Sequence, residues 1–123
     1  AAVLDWELCT IGDPIADFVW SLNYWAEPGE ELTWLLSPPT RYPAFVGRQA
    51  VIDQYCEKSG IELGHLDWYH AFSWWKQACI VEGVLARLRQ GGGGGMKVEA
   101  LDAIGTRIEK YLVHSDELLE GKI

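Results

Sequence analysis

The sequence predicts a mainly α-helical chain, and three observations carry that expectation. Apolar residues recur at three- and four-residue spacing through several stretches, helix-start and helix-stop residues bracket those stretches, and only the first eight residues read as extended chain. The size suits one domain: 123 residues, 49% apolar, can bury roughly two thirds of the surface that the unfolded chain exposes. Seven Trp, five Tyr and three Phe need a packed interior or a covered surface.

The first helix is announced by Asp13-Pro14. An Asp at the N-cap accepts from orphan backbone N–H groups, and Pro in the first turn brings a preset φ and a missing donor that costs nothing there. Ile15, Phe18, Val19, Leu22 and Trp25 then form one stripe, so the helix is expected from Pro14 to about Trp25, ending before Pro28-Gly29. Glu30 to Leu36 leaves room for a short helical turn. Ser37-Pro38-Pro39 and Pro43 predict a loop without regular structure, because each Pro removes a donor and biases its predecessor toward extended geometry.

Gly47 to Ser59 reads as a second helix, with Gly60 placed to end it in the left-handed conformation. The longest element is expected from Leu66 to Arg89, with apolar residues on more than one side, as a central helix packed on several faces requires. Five consecutive glycines, Gly91 to Gly95, predict a flexible linker. Val98, Leu101, Ile104, Ile108 and Tyr111 line a final amphipathic helix, with Lys97, Glu99, Asp102, Arg107 and Lys110 expected outward.

A formal charge of -8 without a basic stripe argues against nucleic acid and anionic membranes as partners. No stretch reaches the ~18 apolar residues that span a bilayer. Cys9, Cys56 and Cys79 are odd in number and widely spaced, which suits buried, reduced thiols better than a disulfide framework. With no charged-then-apolar leader at its start, the chain is expected in the cytoplasm.

The chemistry-bearing residues begin at Val-Leu-Asp-Trp-Glu-Leu, residues 3 to 8. In an extended segment side chains alternate, so Asp5 and Glu7 share one face while Leu4, Trp6 and Leu8 take the other. Two carboxylates on one face suit a hard cation such as magnesium; they equally suit the solvated side of an edge strand.

The longer string LDWELCTIGDPIADFVW resembles the segment of the aminoglycoside phosphotransferase superfamily in which an Asp-x-Glu or Asp-x-Asp metal motif precedes Gly-Asp-Pro-x-x-Asp-Leu-Ala at a helix start. Phe18-Val19 replaces the closing Leu-Ala. Downstream, RYPAFVGRQAVIDQYCEKSG and LDWYHAFSWWKQACIVEGVLARLRQG resemble the helices of the subgroup related to kinase domains joined to acyl-CoA dehydrogenases. The resemblance implies that residues 1–123 are the C-terminal helical part of a protein-kinase-like C-lobe, within a full-length fold that is α+β. Residues 1–12 would be the metal-motif segment and 13–123 the helical subdomain.

The same resemblance implies function. Asp5 would hold magnesium against the phosphates of ATP, with Glu7 as auxiliary ligand or acceptor, for transfer of the γ-phosphate to the hydroxyl of a small-molecule substrate, with hydroxyacyl compounds favoured over antibiotics. Asp13 and Asp17 would support the active site structurally. Lys76, Gln77 and Glu82 would lie by the acceptor cleft, or else form the solvent-facing strip of their helix. The family's His-Gly-Asp catalytic loop and its nucleotide-gripping lobe are not in the 123 residues, so no residue here is assigned a catalytic role, and the fragment is expected to be inactive alone. The missing N-terminal lobe or a second copy of the chain is the expected macromolecular partner. A different class stays open: a non-catalytic helical assembly module that self-associates through exposed aromatics.

Other residues read as structural. His65 and His70 fall about 140° apart on a helix, which disfavours shared ligation, and His65, His70 and His114 are expected to be solvated or locally bonded. Trp68, Trp74 and Trp75 could form a ligand platform, but at helical spacing the core is the expected place for them.

Overall fold

The computed structural model describes residues 2, 11–35, 37–92 and 97–122. Among these the regular structure is entirely helical. Four α-helices follow in order: α1 (Pro14–Leu22), α2 (Arg48–Ser59), α3 (Leu66–Arg87) and α4 (Val98–Leu119). A 3-10 turn occupies Pro39–Arg41, and a π-type turn at Leu88–Gly92 closes α3. The expected extended segment at residues 3–8 lies outside the described residues, as does most of the glycine run.

The core lies where α4 folds back along α3. Trp74, Ala78 and Leu85 of α3 pack against Ile108 and Tyr111 of α4, with Leu101, Ile104 and Leu118 closing around them. Their spacing puts them on facing stripes, and apolar area removed from water at roughly 25 cal/mol per Å² drives the pairing. Ser115 pins the register: its Oγ donates to the Ala71 carbonyl at 2.8 Å, across the interface. No helix among the described residues is long and apolar enough to cross a membrane.

The helix ends follow local chemistry in places and tertiary contacts in others. Asp13 Oδ1 accepts from the Ile15 N–H at 2.9 Å and Pro14 sits in the first turn, as the sequence requires. Gly60 ends α2 at φ 69°, its N–H reaching the Cys56 carbonyl at 2.9 Å. By contrast α1 ends at Leu22 and not near Trp25. The Trp25 indole donates to the Val46 carbonyl at 2.8 Å, while the Trp25 carbonyl accepts from Arg48 Nε at 3.1 Å. The carbonyl that another helical turn would use is thus taken by Arg48 at the start of α2. Residues 30–35 form no helix, and the turn sits instead at Pro39–Arg41, where Pro in the first turn needs no donor.

Three further expectations are corrected. Arg107 does not face solvent: its guanidinium donates to the Thr33 and Trp34 carbonyls and to the Tyr111 hydroxyl, tying the 33–34 loop to α4. Cys79 is exposed and Cys56 half-buried, so neither is a buried thiol; Cys9 lies outside the described residues. Of the three tryptophans on α3 only Trp74 is core, at 7% exposure, whereas Trp68 and Trp75 keep 52% and 50%. Those two flank Phe72 in a stacked row, with ring centroids 5.6 and 5.9 Å apart, so α3, packed against α1 and α4, keeps an open aromatic side.

Candidate functional site

The start of α1 positions the acids that the sequence singled out. Asp13 is bonded twice, through Oδ1 to the Ile15 N–H and through Oδ2 to the Tyr69 hydroxyl on α3. The Tyr69 bond, then the Ile15 N–H, hold the Asp13 carboxyl below its ordinary pKa of 3.8, and the same bond raises the Tyr69 phenol above 10.0. Asp13 is therefore a capping and tethering carboxylate. Asp17, one turn further, is exposed in the first turn, where a negative charge suits the helix dipole. Asp5 and Glu7 lie outside the described residues. Among those described, no group of three or more His, Cys, Asp or Glu converges as metal ligands would.

The three polar positions on α3 go different ways. Lys76 is exposed, its ammonium 4.6 Å from the centroid of the Trp20 ring, and Glu82 is exposed too. Gln77 is fully buried, so the three do not form one outward strip. Its Oε1 accepts from Asn23 Nδ2 at 2.7 Å, and the same amide donates to Ser73 Oγ at 2.6 Å. This buried network joins the end of α1 to the middle of α3, and among the described residues Gln77 Nε2 is buried within it without a partner.

Beyond Leu22 opens a cavity of about 350 Å³, bounded by the end of α1, the 30–32 loop, the start of α2, α3 and α4. Arg48 and Glu30 stand in its wall as a two-pronged pair, both N···O distances being 2.8 Å. His70 and His114 also line it. Burial pushes the His70 imidazole down to about 4, helped by the nearby Arg48 charge, and burial likewise lowers His114. Both rings are thus neutral at pH 7.

Sequence reasoning missed this gathering. His65 is the neighbour of His70 in sequence, whereas its spatial neighbour His114 comes from α4. One signal was available: Arg48 opens a helix, where the dipole disfavours a cation. A basic residue there implies a carboxylate partner, which Glu30 supplies, while Glu27 Oε1 accepts the Arg48 backbone N–H and caps α2 from outside.

The helical architecture and the capped helix start define the chain's class as mainly α-helical. The phosphotransferase enzyme family (APH) matches residues 1–55, and this match supports the superfamily resemblance. Over 94 residues, 70% of the chain, it is 33% identical to "Acyl-CoA dehydrogenase family member 11" of Gallus gallus. Over 97 residues it is 32% identical to "Acyl-CoA dehydrogenase family member 10" of Mus musculus. The matched regions span 12% and 8% of those relatives' lengths. No solved structure matches the chain.

Proposed function

We propose that the chain is part of an ATP- and magnesium-dependent phosphotransferase that moves the γ-phosphate of ATP to a hydroxyl of a small molecule. The observation that carries this reading is the family match over residues 1–55, the segment holding Asp5, Glu7 and the helix start at Asp13. Carboxylate oxygens are the donor type that magnesium prefers, so Asp5 and Glu7 would hold it. When bound, magnesium neutralises charge on the nucleotide phosphates.

The chain's own residues supply positioning. Asp13, held by Ile15 and Tyr69, fixes where α1 begins. Asp17 offers a carboxylate one turn on, available to backbone donors of the remaining domain. The nucleotide lobe and catalytic loop come from outside these 123 residues. Since phosphoryl transfer depends on positioning by all of these parts together, the isolated chain is expected to turn over no substrate.

The test uses manganese as a paramagnetic substitute for magnesium, titrated with ATP into the 123-residue chain while backbone resonances are followed by NMR. Broadening centred on Asp5 and Glu7, reversed by excess magnesium and lost in Asp5→Ala, is expected. Broadening that survives Asp5→Ala unchanged would overturn the reading.

A further inference from the structure

We propose that the cavity beyond the end of α1 is a binding site for an uncharged small molecule, an apolar body carrying a hydroxyl, held through the imidazoles of His70 and His114. The inference does not rest on the phosphotransferase reading. The cavity adjoins Leu22 and Asn23, at the opposite end of α1 from Asp13. At 1.5 Å per residue this nine-residue helix separates the two ends by roughly 13 Å.

Size and lining set the class of ligand. A volume of about 350 Å³ falls at the lower end of small-molecule pockets, which are typically about 300–1,000 Å³. Leu22, Leu32, Trp74 and Leu118 supply apolar walls. Trp74 is itself fixed, packed edge-on to His114 at 4.9 Å and against Tyr111 at 5.3 Å, so the wall is preformed.

The polar groups of the wall divide into spent and available. Arg48 is spent on both Glu30 oxygens and on the Trp25 carbonyl, and Glu30 is spent on Arg48 and the Glu27 N–H. An anionic ligand would need a cation that this pair does not release, and a cationic one would meet Arg48 with its carboxylate already occupied. Glu31 is an exposed rim charge, weakened by water. The imidazoles are available: both line the cavity, and no hydrogen bond is made by either ring among the described residues. A neutral imidazole offers one donor and one acceptor nitrogen, which matches a hydroxyl that both donates and accepts. Two half-buried rings lining one cavity with apolar walls are thus completed by a neutral hydroxylic guest, where a charged guest would pay for desolvation without a free partner.

Three probes of one shape separate the possibilities: cyclohexanol, cyclohexylamine and cyclohexanecarboxylate, titrated at pH 7 without ATP or metal while the His70, His114 and Trp74 side-chain signals are followed by NMR. Cyclohexanol is expected to shift all three signals saturably, with at least tenfold tighter binding than either charged probe. His70→Leu is expected to weaken cyclohexanol about fivefold or more; should that variant not fold, the three-probe comparison on the unaltered chain still decides. Equal or tighter binding of a charged probe, absence of saturable shifts, or shifts confined to Trp68 and Trp75 would each overturn the proposal. Since the readout involves no nucleotide, its failure leaves the manganese experiment untouched, and the converse holds too.

Discussion

The Tyr69 hydroxyl donates to the Asp13 carboxylate, joining two residues 56 positions apart and fastening the middle helix to the cap of the first. The bond binds a proton more tightly on Tyr69 and less tightly on Asp13 in the folded chain. Its contribution to stability is present above pH 3.8 and lost as pH falls through the lowered Asp13 pKa. At the alkaline end it is present below pH 10.0 and lost as pH rises through the raised Tyr69 pKa. In Tyr69→Phe the Asp13 carboxyl should titrate nearer 3.8, and in Asp13→Asn the Tyr69 phenol nearer 10.0. Carboxyl NMR and tyrosinate absorbance measure the two shifts, and unmoved titrations would contradict the bond.

The two cavity histidines give a separate acid dependence. His70 titrates near 4 in the folded chain and near 6.5 unfolded, chiefly through burial and the nearby Arg48, opposed by Asp67 and Glu30. As pH falls below 6.5 the unfolded state takes up a proton that the folded state refuses, so stability declines until about pH 4. The expected loss is roughly 2–3 kcal/mol. His114 adds in the same direction. Urea melts between pH 7 and 4 should show this slope, and His70→Gln should flatten it.

Arg107 is a load-carrying cross-tie from α4 to the 33–34 loop, so Arg107→Ala should cost about 2–3 kcal/mol through lost charge-assisted bonds. Lys at this position should recover little, because an ammonium cannot span two carbonyls and a phenol as the guanidinium fork does. Urea unfolding of both variants checks the order.

Adjacent tryptophans should behave oppositely. Trp74→Ala removes a core ring against Tyr111 and should cost about 3–5 kcal/mol, whereas Trp75→Ala on the open side of α3 should cost less than about 1 kcal/mol. Thermal melts of the two variants distinguish them, and equal losses would contradict the assigned faces.

The local parts of the structure were legible in the sequence because their causes are local. Asp13-Pro14 starts a helix through a bond to a residue two positions away, Gly60 stops one by adopting a positive φ, and the stripe Leu101, Ile104, Ile108, Tyr111 finds α3 by its periodicity. The mainly helical class follows from the same signals. What periodicity could not tell was which side of α3 would be covered, since Trp68, Phe72 and Trp75 are as apolar as Trp74 and only the approach of α4 chooses among them.

The segment that the family matches, residues 1–55, was likewise recognisable from the string at its start. The cavity was not. His70 and His114, or Arg48 and Glu30, carry no mutual signal along the chain, and their pairing depends on three helices and a loop meeting at one point. Sequence determined the helices and their caps through contacts within a few residues; tertiary structure decided which polar groups would share a low-dielectric space, because burial belongs to packed elements together and to none of them singly.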